Sequence, residues 1–555
     1  MVILETTFKE LNKAVKRKLT KKELDETLFS LGFELESVEN DNLKIEITPD
    51  RPDLLSTQGL ARLLKAYLGK EKGLVNYKIK KSDIKIYVDK SVEKVRPYTV
   101  AAVVKNLKLD YEKIKEIINI QEKIHNTFAR KRKKLAIGIY PLENISSPIK
   151  YLAKSPDEIK FIPLDFEKEL TGKEILEKHP KGIEYAHLLK NHEKYPIFVD
   201  SKNKILSMPP IINARDLGKV TETTKDVFIE CSGHDLNSLN QVLNLIVTTL
   251  ADMNSQIYSV EIYYQNKKII TPNLSPEKKE IKIDYINKIL GLNLNSRQIS
   301  ELLEKMNYGI SLILKDKLKI LIPKYRTDIW HNIDIVDDIA RAYGFNNIPP
   351  NFPHVHSIAE TLPENDFIEK LKQNIIGLGF IEAFTFALTN SHDQFKKMSI
   401  EPHNYIELGS VKEQTINIVR LWLLPELIKF LVNNRSREYP QKIFEINDIV
   451  IQDNKEDVKS RNITKLSCVI AHEKSNFTEI KQVLDYLAKI LNLDINIKEL
   501  KHNSFIEGRC ASIFVNDKEI GFLGELSPVV LTNFNLLVPV SALEIDLTKL
   551  LEIIS

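Results

Sequence analysis

The hydrophobic residues follow two periods, and the changes between them outline the elements. Leu43, Ile45 and Ile47 alternate with polar neighbours, which predicts a half-buried strand. Leu60, Leu63, Leu64, Tyr67 and Leu68 fall at helical spacing and form one apolar stripe. Between them, ITPDRPDLLST carries Pro49 and Pro52, which stiffen a loop and forbid a central strand. Thr20 and Glu23 have the spacing of a capping box for an earlier helix. Asp53 or Ser56 caps the later helix, and Gly69 ends it. The lysine-rich stretch from Lys70 to Lys81 reads as a linker, so an N-terminal domain is expected at 1–83.

Residues 84–268 read as a larger α+β domain. It has a helix carrying the basic run ARKRKK, strand pieces in YPIFVD and KILSMPPIINARD, and the strand VFIECSGHD. The helix LNSLNQVLNLIVTTLADM and the strand QIYSVEIYY follow. Residues 269–352 predict paired helices, a basic strand and an aspartate-rich helix, and the prolines of NNIPPNFPH close the region. Residues 353–555 predict a helix over Phe367–Gly377, then the strands EAFTFALT, KIFEINDIVIQ, TKLSCVIAHE, CASIFVNDKEIGFLGEL and PVSALEIDL. Hairpin signals such as Asn516-Asp517 imply a mostly antiparallel sheet flanked by helices, hence a multidomain α+β chain.

Composition narrows the classes. With 555 residues, 43% hydrophobic and 28% charged, the chain can bury several cores. A net charge of +4 permits nucleic-acid binding without demanding it. The three cysteines are far apart and form no CxxC, which fits a reducing, cytoplasmic setting. No apolar run is long enough to span a bilayer, and the start lacks the apolar core of a signal peptide.

Candidate chemistry is concentrated in a few segments. In PKYRTDIWHNIDIVDDIARAYG, Asp334, Asp337 and Asp338 stand at i, i+3, i+4, and Asp328 lies one short loop upstream. Such carboxylates suit a hard cation such as Mg²⁺. An acidic first helical turn, with Lys324 and Arg326 nearby, is the simpler reading on spacing alone. ARKRKK is either a phosphate-contacting face or a solvated helix end. Ser207, Glu230, Ser232, His234 and Asp235 stand near strand ends, where ordinary turn chemistry accounts for them equally well. The chain has no GxxxxGK[ST], GxGxxG or HExxH motif.

Taken in order, ITPDRPDLLSTQGLARLLKAYLG, QEKIHNTFARKRKKLAIGIY, LSMPPIIN, PKYRTDIWHNIDIVDDIARAYGFNNIP, FIEAFTFALTN and GRCASIFVNDKEIGFLGELSPVVLTNF resemble the beta subunits of archaeal/eukaryotic-type phenylalanyl-tRNA synthetases over nearly the whole chain. The resemblance implies an (αβ)₂ heterotetramer charging tRNA(Phe) with phenylalanine, with ATP bound by the alpha subunit. Residues 84–268 would be an editing domain that hydrolyses Tyr-tRNA(Phe). Residues 269–352 would be the family's small B-five domain, holding Mg²⁺ through Asp328, Asp334, Asp337 and Asp338. Residues 353–555 would be a catalytic-like class II module without active-site function. With these neighbours, the resemblance favours the metal reading of the aspartates. The family usually has Glu where Asp337 stands, so that side chain is one methylene short. The implied editing residues are Ser207, Glu230 and Ser232, with Phe198 lining the pocket. Relatives commonly show Asp and Thr in place of Glu230 and Ser232, and often His-Asp in place of Tyr140-Pro141. A scaffold and tRNA-binding subunit with lost editing is the alternative, and a stand-alone metal-dependent hydrolase is a third reading.

Overall fold

The computed structural model describes residues 2–353, 355, 357–409 and 415–554. The chain forms two compact units, Met1–Phe352 and Pro353–Ser555.

The first unit begins with a three-stranded antiparallel sheet in which Asn42–Ile47 lies between Val2–Thr7 and Glu34–Glu39. Leu43, Ile45 and Ile47 point into its core. The capping box expected at Thr20 is half made. Its hydroxyl accepts the Glu23 N–H at 3.1 Å, but the Glu23 carboxylate turns to Arg17 instead. Ser56, not Asp53, caps the helix Thr57–Tyr67, accepting the Gly59 N–H at 3.0 Å. Asp53 is taken by Arg51, with both hydrogen bonds at 2.9 Å.

A ten-stranded mixed sheet follows. Its order is Ile212–Asn213, Ile205–Met208, Tyr195–Val199, Ile149–Lys154, Ile79–Val88, Gln256–Tyr263, Tyr98–Lys105, Val227–Gly233 and Leu135–Pro141, with Lys268–Thr271 paired to Gln256–Tyr263. The boundaries expected at 83/84 and 268/269 therefore fall inside strands, and the supposed linker ends as an edge of Ile79–Val88. The helix Leu236–Asp252, apolar on most of its surface, packs on Tyr98–Lys105 and Val227–Gly233. The unit ends in a three-stranded sheet of Glu277–Lys282, Lys317–Ile322 and Gly309–Ile313, with the helices Ile283–Leu290, Ser296–Lys305 and Asn332–Tyr343.

One hydrophobic cluster runs from Leu4 to Ala342 and joins these parts. A buried charged layer joins them again. Arg62 bonds Asp252 at 2.8 Å and lies 3.8 Å from the centre of the Tyr325 ring. Tyr77 donates to the other Asp252 oxygen at 2.8 Å. Pairings of this kind, far apart in sequence, are invisible to local periodicity.

The basic run does not continue a helix. Tyr111–Asn126 ends before it, and Arg130, Lys131 and Arg132 adopt left-handed backbone with φ of 50°, 52° and 63°. In this turn the Arg132 side chain points inward. It donates to the carbonyls of Pro210 (3.2 Å) and Ile211 (2.9 Å) and to Glu122 (2.8 Å).

The second unit is built on a seven-stranded sheet, ordered Ile381–Glu382, Gln441–Gln452, Ser460–Ala471, Val540–Asp546, Lys518–Leu526, Phe505–Val515 and Ile495–Glu499. All pairings are antiparallel except the first. EAFTFALT departs from its expected form. Only Ile381–Glu382 and Leu388–Thr389 are strand, and Phe384 and Phe386 stand 84% and 86% exposed. A side chain replaces the missing ladder: Glu445 accepts the Thr385 N–H at 3.2 Å and its hydroxyl at 2.6 Å. Buried Arg420 bonds both residues. Among the described residues, no helix is long and apolar enough to cross a membrane.

Candidate functional site

A cavity of about 520 Å³ opens in the first unit between the helix Tyr111–Asn126, the strand Leu135–Pro141 and the Pro209-Pro210 loop. Ile117, Ile118, Ile137, Ile139 and Ile211 make its walls apolar. Ser207, Asn213 and Glu230 supply polar groups at its buried end, while the partly exposed Glu122 and Lys181 stand at the other.

Strand register sets that buried end. Glu230 pairs across from Gly138 on one side and Ala101 on the other. A Cβ on Gly138 would collide with the Tyr140 hydroxyl and the Glu230 carboxyl, so glycine there leaves room for both. The Tyr140 hydroxyl reaches Ser207 Oγ at 2.8 Å, Glu230 Oε1 at 3.1 Å and Asn213 Oδ1 at 3.3 Å. Glu230 Oε2 is buried without a partner. Burial pushes the Glu230 carboxyl up to about 8, against the smaller opposing effects of the Tyr140 hydrogen bond and Arg96. At neutral pH the group is therefore a protonated acid, able to donate as well as accept.

The structure thus brings Ser207 and Glu230 together through Tyr140, with Ser232 and Phe198 engaged by other partners close by. Ser232 does not line the cavity. Its hydroxyl accepts from Arg96 Nε at 3.2 Å, and its carbonyl accepts from Arg96 Nη2 at 2.8 Å. Phe198 is fully buried in a stack with Tyr151, ring centres 4.4 Å apart, and Tyr151 in turn donates to the Arg96 carbonyl at 2.8 Å. By strand register Ser232 shares a sheet face with Glu230, and Phe198 is the cross-strand partner of Ser207, so both lie on the cavity side of the sheet beside the polar end. Asp235 caps the helix Leu236–Asp252 through the Ser238 N–H at 2.8 Å, so no Ser-His-Asp array forms with His234. His125 lies beside the cavity, but its Nε2 accepts the Ile137 N–H at 2.9 Å and burial lowers its pKa to about 4. It is a neutral structural histidine. Reading along the chain missed Asn213, Gly138 and Arg96, each defined by a partner on another strand or loop.

The four aspartates do not converge on a common point. Arg326 donates to both Asp328 oxygens (2.8 and 2.6 Å) and to Asp338 (2.7 Å), and Tyr308 donates to Asp338 at 2.6 Å. Burial would raise the Asp328 pKa, but Arg326 outweighs it and holds the carboxyl at about 2. Asp334 accepts the N–H groups of Trp330 (2.8 Å) and His331 (2.7 Å) at its helix start. Asp337 is half exposed and pairs with Arg341 at 2.7 Å. Among the described residues, no group of three or more His, Cys, Asp or Glu is placed to hold a metal ion. The arrangement does not fit the Mg²⁺ expected at Asp328, Asp334, Asp337 and Asp338: a buried guanidinium already fills the gap between two of them. Arg326 is the counter-charge of Asp328 and Asp338, and Arg341 that of Asp337. All the cysteines are buried and unpaired.

Comparison with known proteins defines the class. Residues 1–70 match the Phe-tRNA synthetase beta subunit B1 domain, residues 279–345 the tRNA synthetase B5 domain, and residues 348–547 the phenylalanyl tRNA synthetase beta chain CLM domain. The chain is thus assembled from the domains of an aminoacyl-tRNA synthetase subunit. It is 42% identical to the phenylalanine–tRNA ligase beta subunit of Pyrococcus abyssi, over 98% of each chain. With that of Methanococcus aeolicus it shares 41% identity, over 97% of this chain and 98% of the relative. A crystal structure of an N-terminal fragment of the phenylalanyl-tRNA synthetase beta-subunit from Pyrococcus horikoshii matches with a TM-score of 0.60 and 41% identity, covering 62% of this chain and 99% of the fragment. The chain belongs to the family of phenylalanine–tRNA ligase beta subunits.

Proposed function

We propose that this chain assembles with an alpha subunit into an (αβ)₂ heterotetramer that attaches L-phenylalanine to tRNA(Phe). ATP and Mg²⁺ serve the reaction on the alpha subunit, which releases AMP and diphosphate. The cavity in the first unit receives the aminoacyl end of tRNA and hydrolyses Tyr-tRNA(Phe). The observation that carries the editing role is the unpartnered Oε2 of a buried, protonated Glu230 beside apolar walls. A phenylalanyl ring in that slot brings the Glu230 carboxyl no partner, while a tyrosyl ring brings it a hydroxyl. An unmet buried polar group costs about 1–3 kcal/mol, so the site favours the wrong product over the right one. Exposed Arg130, Lys131 and Lys133 flank Arg132, a cavity residue, and supply positive charge for tRNA phosphates. In the second unit, which would serve as a class II-like module without its own active site, exposed Phe384 and Phe386 offer an apolar face to the alpha subunit.

Subunit omission tests the first part: phenylalanine charging requires both chains. The heterotetramer supplied with tyrosine, ATP and tRNA(Phe) tests the second. Glu230→Ala should make Tyr-tRNA(Phe) accumulate where the wild type keeps it low; equal accumulation would support the scaffold reading with lost editing. One observation favours that second reading, namely that the Tyr140 hydroxyl already engages Ser207 and Glu230.

A further inference from the structure

The tyrosine inside the chain's own cavity floor has a role of its own, which rests on the editing reading. Tyr140 is fully buried, with its ring tilted against Phe228 at 6.0 Å between centres. Its hydroxyl lies over Gly138, the position where any Cβ would displace it. From there it meets the three polar groups at the buried end of the cavity, Ser207, Asn213 and Glu230. Yet it satisfies only one oxygen of Glu230. Oε1 is held at 3.1 Å, while Oε2 is left buried and unpartnered on a residue that lines the cavity.

We infer that Tyr140 is a positioning residue for specificity: its phenol bridges Glu230 Oε1 and Ser207 and so fixes the carboxyl that, on the editing reading, meets the hydroxyl of an incoming tyrosyl group. The asymmetry matters because a carboxyl free to rotate offers either oxygen to water or to its neighbours. Ser207 and Asn213 would then also be open, and the cavity floor would suit a water cluster as well as a phenol. Tyr140 forms no bond to substrate in this scheme; it acts through Glu230.

The test uses the complete heterotetramer and preformed Tyr-tRNA(Phe) and Phe-tRNA(Phe). Tyr140→Phe keeps the ring and its contact with Phe228 and removes only the hydroxyl. The expected result is an increase in KM for Tyr-tRNA(Phe) deacylation of about tenfold, the scale of one lost hydrogen bond. The accompanying change in kcat should be small, and Phe-tRNA(Phe) hydrolysis unchanged. Phenylalanine charging at wild-type rates shows that the variant is folded and assembled. Wild-type selectivity in Tyr140→Phe would overturn the inference. So would faster deacylation of Tyr-tRNA(Phe), which would make the phenol an obstruction. If Glu230→Ala abolishes deacylation while Tyr140→Phe leaves it untouched, only the positioning role falls. If the wild type itself does not deacylate Tyr-tRNA(Phe), the editing reading falls and takes this role with it.

Discussion

Replacing Glu230 by Gln keeps the shape of the side chain and removes its titration. In the folded chain burial raises this carboxyl from 4.5 to about 8, a displacement equivalent to roughly 5 kcal/mol. The sign follows from proton counting. Below pH 4.5 the folded and unfolded chains both hold the proton, and the full stability is present. As the pH rises, the unfolded chain releases the proton first, so folding loses about 1.4 kcal/mol per pH unit until the folded group also titrates. The loss is complete once the pH has passed about 8. Glu116, which burial raises to about 7, adds a slope of the same sign. It is common to wild type and variant, so their difference isolates Glu230. Amide hydrogen exchange along Val227–Gly233, corrected for intrinsic rates and read in the heterotetramer from pH 5 to 8, gives the opening free energy where it matters. The wild-type value should fall relative to Glu230→Gln by several kcal/mol across that range. Parallel profiles would refute the claim that this carboxyl is buried and protonated at neutral pH.

Other outcomes follow from the same structure. Arg326→Met removes the guanidinium that bonds both Asp328 and Asp338, leaving Asp338 buried with only the Tyr308 hydroxyl and Asp328 with Arg51 at 4.0 Å, so thermal unfolding at pH 7 should show a loss of about 3–5 kcal/mol. That loss should shrink as the pH falls and Asp328 takes up a proton. Gly138→Ala places a methyl against the Tyr140 hydroxyl and Glu230, and Tyr-tRNA(Phe) deacylation should drop at least about tenfold while charging persists. Replacing exposed Phe384 and Phe386 by Ser should leave the circular dichroism of the beta chain unchanged and reduce its co-purification with the alpha subunit.

What could be read from the chain was local. Alternation at Leu43, Ile45 and Ile47 and the stripe from Leu60 to Leu68 became a strand and a helix because the burial that selects them is periodic. Choices that depend on a distant partner were not legible. Glu23 left its capping box for Arg17, and Asp53 left the cap to Ser56 because Arg51 claimed it. ARKRKK looked like a helix end until Arg132 found the Pro210 and Ile211 carbonyls. The aspartates show the same limit. Helical spacing brings Asp334, Asp337 and Asp338 near one another, but it cannot show Arg326 seated between Asp328 and Asp338. At the cavity, Ser207 and Glu230 were both named from the resemblance. The hydroxyl joining them comes from Tyr140, on a third strand that only the sheet register places beside them.

The account rests most heavily on Glu230 as the reader of a tyrosyl hydroxyl, and a single-turnover assay addresses it directly. Preformed Tyr-tRNA(Phe) and Phe-tRNA(Phe) are each mixed with excess heterotetramer, wild type or Glu230→Ala, at pH 7. The expected result is rapid release of tyrosine by the wild type, much slower release of phenylalanine, and collapse of that difference in Glu230→Ala. Equal hydrolysis of Tyr-tRNA(Phe) by the two enzymes would contradict it.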